Sequence, residues 1–74
     1  MMDLQPFTVN YRICLEDDDT CIEAGRRVVS AYDDEGAGIE CCRQIIEQNA
    51  AFAPGAPPAY VTLDCVRPEG IAVA

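Results

Sequence analysis

The stretch FTVNYRICL, residues 7–15, decides the fold. Its apolar side chains recur at every second position, which is typical of a β-strand with one buried face. That face carries Phe7, Val9, Tyr11, Ile13 and Leu15, and the other carries Thr8, Asn10, Arg12 and Cys14. The sequence therefore predicts a half-buried strand over residues 7–15, on which the rest of the chain must pack.

A helix is predicted after this strand. Residues 16–19 are a run of four acids, and the sequence TCIE at residues 20–23 fits the capping box, in which a threonine and a glutamate side chain cap the first helical turn. Apolar positions at helical spacing continue to Tyr32. We therefore predict a helix over about residues 20–32, with the acids before it complementing the positive end of its dipole.

A second acidic run, Asp33-Asp34-Glu35, has two interpretations. Carboxylates at the end of the first helix would oppose its dipole. Either Asp33 or Asp34 is the N-cap of a second helix, or the run is kept for another purpose. Gly36 and Gly38 favour a turn between two helices, although residues 28, 32, 39, 42 and 46 are also in phase on one continuous helix.

The second helix is predicted over about residues 38–50. Its inward side chains are predicted to be Ile39, Cys42, Ile45 and Ile46, and its outward ones Glu40, Arg43, Gln44, Glu47 and Gln48. Charge pairs at i,i+3 and i,i+4 spacing support the outward assignment.

The remainder of the chain favours a return to the sheet. A proline-rich loop, residues 51–58, is followed by alternation over residues 59–66, with Val61, Leu63 and Cys65 on one face. Pro68 and Gly70 suit a tight turn before a short strand at residues 71–74. The predicted fold is α+β: one domain over residues 1–74, with an antiparallel sheet of two or three strands packed on two helices in the order β-α-α-β-β.

Composition limits the function. The 74 residues include 13 acids and 5 arginines but no lysine or histidine, giving a net charge of −8. So acidic a chain is not expected to bind nucleic acid directly or to adsorb to an anionic membrane. No apolar run approaches the ~20 residues of a membrane span, and the N-terminus has no signal-peptide pattern. The sequence predicts a cytoplasmic protein, in the host bacterial cytoplasm if a phage encodes it.

Catalytic and cofactor motifs are not recognisable in the sequence. The usual general-base and Schiff-base residues are missing, the only serine is Ser30, and neither acidic run fits an EF-hand calcium loop. We predict no enzymatic activity, no cofactor and no metal site. Weak, nonspecific cation binding remains an alternative.

The five cysteines do not have the spacing of a zinc site. Cys14, Cys21, Cys41, Cys42 and Cys65 are interpreted as reduced, mostly buried hydrophobic residues. A metal site, a redox role for Cys41 and an intermolecular disulfide remain alternatives.

The acidic residues are therefore the candidate partner-binding site. They are Glu16, Asp17, Asp18, Asp19, Glu23, Asp33, Asp34, Glu35, Glu40 and Glu47. A helix of about 12 residues between the two runs would separate them by about 18 Å. Such a surface could occupy a groove built to hold phosphates, and it would be steered toward a basic partner. The plainer interpretation is a solubilising face.

A short, single-domain, strongly acidic α/β chain without catalytic residues resembles the phage-encoded anti-CRISPR proteins. The acidic runs at residues 16–19 and 33–35 carry this resemblance. It implies a non-catalytic inhibitor that occupies the basic DNA-binding cleft of a CRISPR surveillance complex and blocks target DNA. The absence of lysine, beside ten alanines, five prolines and five arginines, suggests GC-rich coding, and a GC-rich bacterial source favours a complex of type I. We expect the protein to be a monomer or a weak dimer. The alternative is a small cytoplasmic interaction module, an accessory subunit or antitoxin-like protein, that binds through an apolar or sheet-edge surface.

Overall fold

The protein folds into a three-stranded antiparallel sheet with one helix packed across it. The structure is a computed structural model that describes residues 3–69. Strands β1 (Gln5–Leu15) and β2 (Cys21–Ala31) are followed by helix α1 (Asp34–Gln48), a 3-10 turn (Ala50–Phe52) and strand β3 (Ala59–Pro68). The strands lie in the order β2-β1-β3. The fold is α+β as predicted, but the element order over residues 3–69 is β-β-α-β, so the predicted order β-α-α-β-β is wrong.

Strand β1 is the centre of the sheet and of the core. The face predicted to be buried packs beneath α1: Val9 and Ile13 are fully buried, and Phe7 and Tyr11 nearly so. Both neighbours pair with β1 along almost its whole length. The predicted alternation is confirmed from Phe7 to Ile13, because this strand, with a neighbour on each side, meets the helix on one face only. It fails at the end of the strand, where the pairing with β2 shifts after Ile13: Cys14 is buried and Leu15 is only half-buried.

The predicted helix over residues 20–32 is wrong, because residues 21–31 form β2. This strand lies at an edge of the sheet, and only its last part, at Val29 and Ala31, is buried under the helix. Val28 lies on the uncovered face and is half exposed. A strand with so little buried surface need not alternate, and its apolar residues match a helical spacing without forming a helix.

The acids at residues 16–19 form the β1–β2 turn rather than a helix start. The Leu15 N–H donates to the Thr20 carbonyl, and the Asp19 N–H donates back to the Leu15 carbonyl. Asp19 has a φ of 57°, a left-handed conformation that aspartate tolerates better than most residues. The predicted capping box does not form. The Thr20 N–H instead donates to Asp18 Oδ1 at 3.1 Å.

Helix α1 begins at Asp34, four residues before the predicted start, and ends at Gln48. Asp33 is its N-cap: its side chain accepts from the Gly36 N–H at 2.7 Å. One of the two interpretations of the second acidic run is thus confirmed. The predicted break at Gly36 and Gly38 is wrong. Gly38 lies within the helix, where it lets α1 approach β3 closely: a Cβ there would come within 2.9 Å of Leu63 Cδ1.

The buried face of α1 differs from the predicted one. It comprises Ala37, Gly38, Cys41 and Ile45. Only Ile45 of the predicted inward residues is buried; Cys42 is half-buried, and Ile39 and Ile46 are exposed. Because the helix begins at Asp34, the small residues Ala37 and Gly38 face the sheet and let the helix backbone pack close to it.

Strand β3 is confirmed, but its faces change partway along. The pairing with β1 shifts between Asn10 and Tyr11, which leaves Asp64 as an extra residue in a β-bulge. Leu63 and Val66, rather than Leu63 and Cys65, therefore share the helix side. Phe52, in the connection between α1 and β3, packs against the core. The predicted strand at residues 71–74 lies outside the described residues.

Candidate functional site: two acidic clusters and a groove

The ten predicted partner-binding residues lie in three places. Residues 16–19 form the β1–β2 turn, here called the turn cluster, and residues 33–35 lie at the start of α1, here called the cap cluster. Glu40 and Glu47 lie further along α1, and Glu23 lies on β2. The structure therefore does not gather these residues into one site.

Hydrogen bonds to the backbone and from Tyr60 order the turn cluster. The Glu16 N–H donates to the Pro58 carbonyl at 3.0 Å, and the Tyr60 hydroxyl donates to Asp19 Oδ1 at 2.8 Å. This second bond raises the pKa of Tyr60 to about 12. The bonds that Asp18 accepts from Thr20 lower the pKa of that carboxyl. The carboxylates are exposed, but the turn that carries them is held in one conformation.

The cap cluster is stabilising where it lies. Asp33 caps α1, Asp34 Oδ1 accepts from the Glu35 N–H at 2.9 Å, and the acids of the first turn face the positive end of the helix dipole. At the end of a helix these acids would be destabilising and would need another function to explain them, but at the start of α1 they need none. Their carboxylates are exposed to solvent.

The two clusters lie much further apart than the helical prediction of about 18 Å. They flank β2, and its ten residue steps at ~3.3 Å each span about 33 Å. The protein measures 42 Å along its longest axis, so the clusters lie toward its opposite ends. The correction follows directly from the extended backbone that replaces the predicted helix.

No arginine within residues 3–69 forms a salt bridge with a carboxylate of either cluster. Within residues 3–69 the salt bridges are Arg12–Asp64 and those from Arg43 to Glu40 and Glu47, and none involves either cluster. Glu23 instead accepts hydrogen bonds from the Tyr11 hydroxyl and the Asn49 amide. Glu40, Glu47 and Glu23 are thus partly committed inside the protein, whereas the clusters are available to a partner.

Glu40 is the acid most strongly held by its surroundings. Hydrogen bonds from Arg43, and then from Gln44, lower the pKa of its carboxyl to about 2. Because the folded-state pKa is below the unfolded value, this contribution to stability is present above about pH 4.5 and is lost as the pH falls toward 2. We expect Glu40→Gln to reduce the loss of stability over that range, measured by urea unfolding at several pH values. Asp3→Asn is the control, and an equal change in both variants would contradict the assignment.

An apolar groove runs between α1 and β3, and acids lie at its mouth. Its walls are formed by Gly38, Ile39 and Cys42 on the helix and by Leu63 and Val66 on the strand, and its volume is about 650 Å³. Asp34 and Glu35 of the cap cluster lie at one end. Ile39 is 66% exposed, a large apolar area for a helix that already has a buried face. Sequence reasoning missed this groove.

Basic residues concentrate on the opposite side of the sheet. The register places Arg26 and Arg67 on the face away from α1, beside Asn10 and Thr8 of β1. Arg12 lies on the same face, where it binds Asp64 through two nitrogens at 2.8–3.1 Å. Apart from Asp64, which Arg12 binds on this face, the acids discussed above lie at the two ends and on the helix side of the protein.

The cysteines do not form a site in the part of the chain that is described. All five are free, and residues 3–69 hold no group of three or more potential ligands placed to bind a metal ion. Cys14 and Cys41 are buried, Cys42 and Cys65 are half-buried, and Cys21 is exposed. Burial raises the pKa of both Cys41 and Cys42, which disfavours the thiolate that a redox role for Cys41 would need.

Comparisons with protein-family models, curated proteins and solved structures give no match. No helix within residues 3–69 has the length and apolar character needed to cross a membrane.

Proposed function

We propose that this protein is a non-catalytic inhibitor that uses its acidic clusters to occupy the basic DNA-binding cleft of a nucleic-acid-binding complex. The observation that carries the proposal is the pair of ordered acidic clusters about 33 Å apart. Hydrogen bonds fix both in place, and neither is neutralised by an arginine within the described residues. Such fixed charges mimic phosphates without the entropic cost of ordering a flexible acidic tail.

The resemblance to anti-CRISPR proteins supplies the partner class. A type I CRISPR surveillance complex reads duplex DNA in a basic cleft. Each strand of the duplex carries one phosphate per about 3.4 Å of the helix axis. The distance between the clusters corresponds to about ten such steps. The sheet face that carries Arg12, Arg26 and Arg67 would then be directed away from the cleft.

The test is competition between the protein and a fluorescent target duplex for a purified type I surveillance complex. We expect the parent protein to displace the duplex and to lose affinity steeply as salt rises, because exposed charges are screened. Four substitutions that remove the charge but keep a side-chain oxygen as hydrogen-bond acceptor, Glu16→Gln, Asp17→Asn, Asp34→Asn and Glu35→Gln together, are expected to weaken displacement by about tenfold or more.

The matched control removes acids outside the clusters. Asp3→Asn with Glu69→Gln is compared with each pair of cluster substitutions, Glu16→Gln with Asp17→Asn and Asp34→Asn with Glu35→Gln, so that net charge is equal. The control should retain most of the activity. Equal losses in all three double variants would show that only the net charge acts. Displacement that ignores salt and all of these variants would contradict the proposal.

The groove between α1 and β3 favours a second candidate, an interaction module that binds an apolar segment of a partner protein. Its apolar walls and the 66% exposure of Ile39 carry this alternative. Retention of a partner from a lysate that contains CRISPR complexes, followed by mass spectrometry, separates the two. In the inhibitor, retention depends on the clusters and on salt. In the module, Ile39→Gln abolishes it, Ile46→Gln does not, and salt has little effect.

A further inference from the structure

The outer edge of β2 is an unpaired strand edge. β2 bonds to β1 on one side, and no strand within residues 3–69 pairs with its other side. It is 11 residues long and contains neither lysine nor proline, the residues that commonly protect edge strands. Ile22 and Val28 on this strand are 47% and 50% exposed. A strand edge of this kind is suited to pairing with another strand.

We infer that β2 pairs antiparallel with β2 of a second copy and joins the two sheets into one of six strands. A two-fold axis perpendicular to the sheet makes this interface self-complementary and keeps both α1 helices on the same face. Only residues on the same face of the strand then lie opposite one another.

One register satisfies the side chains of the strand. With Gly25 opposite Gly25 of the second copy, Glu23 lies opposite Arg27 of the second copy, and the exposed Ile22 lies opposite the exposed Val28. Each pair occurs twice because of the symmetry. Centring the register on Glu23, Arg26 or Arg27 would instead place like charges directly opposite each other, which is destabilising.

The side chains of Glu23 and Arg27 lie on the helix side of β2, where each makes hydrogen bonds within its own copy. Glu23 accepts from Tyr11 and Asn49, and Arg27 Nη1 donates to the side-chain oxygens of Gln44 and Gln48 at 3.2 Å. Each ion makes two hydrogen bonds to neutral groups through one atom, Oε2 of Glu23 and Nη1 of Arg27, so its other polar atoms keep capacity for an opposite charge across the joint. The groove lies on the β3 side of the helix, so the dimer would leave it open at both outer edges.

A higher salt concentration should strengthen this dimer, whereas it should weaken binding to a basic partner. Each copy has a net charge of −8, and the register brings the turn cluster of one copy toward the cap cluster of the other. Salt screens this repulsion and also the two Glu23–Arg27 pairs. Because the net charge of −8 on each copy outweighs two ion pairs, the dimer should strengthen as salt rises. The dimer and the proposed inhibition of a DNA-binding complex are therefore separable by one titration.

A charge-exchange experiment tests the register. We expect sedimentation equilibrium of the parent protein to show a monomer–dimer equilibrium. Glu23→Arg and Arg27→Glu, each alone, place like charges opposite each other at both positions and should weaken the dimer by about tenfold or more. An equimolar mixture of the two variants restores opposite charges at both positions and should form a heterodimer, as should the double variant with itself.

Controls address folding and the apolar pair. Circular dichroism verifies that each variant is folded. The mixture is a further control, because it contains the same two variants that are measured alone, so only a misfolded variant would fail to dimerise in both measurements. Val28→Lys should abolish dimerisation, whereas Ile46→Lys, at an equally exposed isoleucine outside the edge, should not. A parent protein that stays monomeric at millimolar concentration and high salt would overturn the inference. So would single variants that dimerise as well as the parent.

Discussion

Ile45→Ala is expected to destabilise the protein severely, whereas Ile46→Ala, one residue further along the same helix, is expected to leave it almost unchanged. Ile45 is fully buried between α1 and the sheet, and Ile46 is 52% exposed. Truncation of a buried isoleucine costs about 2–5 kcal/mol through lost burial and the cavity left behind. A surface truncation usually stays within about 0.5 kcal/mol.

The size of the protein makes the first effect decisive. A chain of this length has a free energy of unfolding of about 4–11 kcal/mol, so Ile45→Ala removes a large part of it. We expect the midpoint of thermal unfolding to fall by more than about 10 °C, with little change for Ile46→Ala. Thermal and urea unfolding followed by circular dichroism measure both. Similar midpoints for the two variants would contradict the orientation assigned to α1, in which Ile45 is buried and Ile46 is exposed.

The sequence pattern was reliable where tertiary structure imposes a single period on the chain. β1 alternates because one of its faces lies under α1, and that alternation identified Phe7 to Ile13 as core. It failed for β2, where the helix covers only the end near Val29 and Ala31. A hairpin is indicated by the adjacent β-branched residues Val28 and Val29 and by the short acidic connection, residues 16–19, that follows the first strand. The chance match of residues 20–23 to a capping box favoured a helix instead.

The candidate site was predictable in composition and not in geometry. Exposure of residues 16–19 and 33–35 follows from their charge, and the structure places both at the surface. Their separation and the groove depend on the fold. Ile39 and Val66 are distant in sequence, and Val66 reaches the helix side only because the bulge at Asp64 changes the face of β3. Pairing with β1 creates that bulge, and no local pattern announces it.

Gly25 lies in β2, where the sequence predicted a helix, and its environment depends on which of the two structures forms. As an apolar position of a helix it would tolerate a larger side chain, and in an ordinary exposed strand Gly25→Val would stabilise the protein. In the structure Gly25 lies opposite Tyr11, and a Cβ there would come within 2.8 Å of the Tyr11 hydroxyl oxygen. That hydroxyl is held by a 3.2 Å bond to Glu23, and the ring is only 9% exposed.

Gly25→Val is therefore expected to lower the free energy of unfolding by about 1–3 kcal/mol, because the displaced Tyr11 ring loses both its packing and its bond to Glu23. A double-mutant cycle with Tyr11→Leu isolates the cause. In the Tyr11→Leu background, the cost of Gly25→Val should largely vanish, giving a coupling energy of about 1 kcal/mol or more. Urea unfolding of the four proteins, at one low concentration at which the parent is monomeric, provides the measurement. Additive effects would mean that the valine is not excluded by Tyr11, and a stabilising Gly25→Val would contradict the cross-strand contact itself.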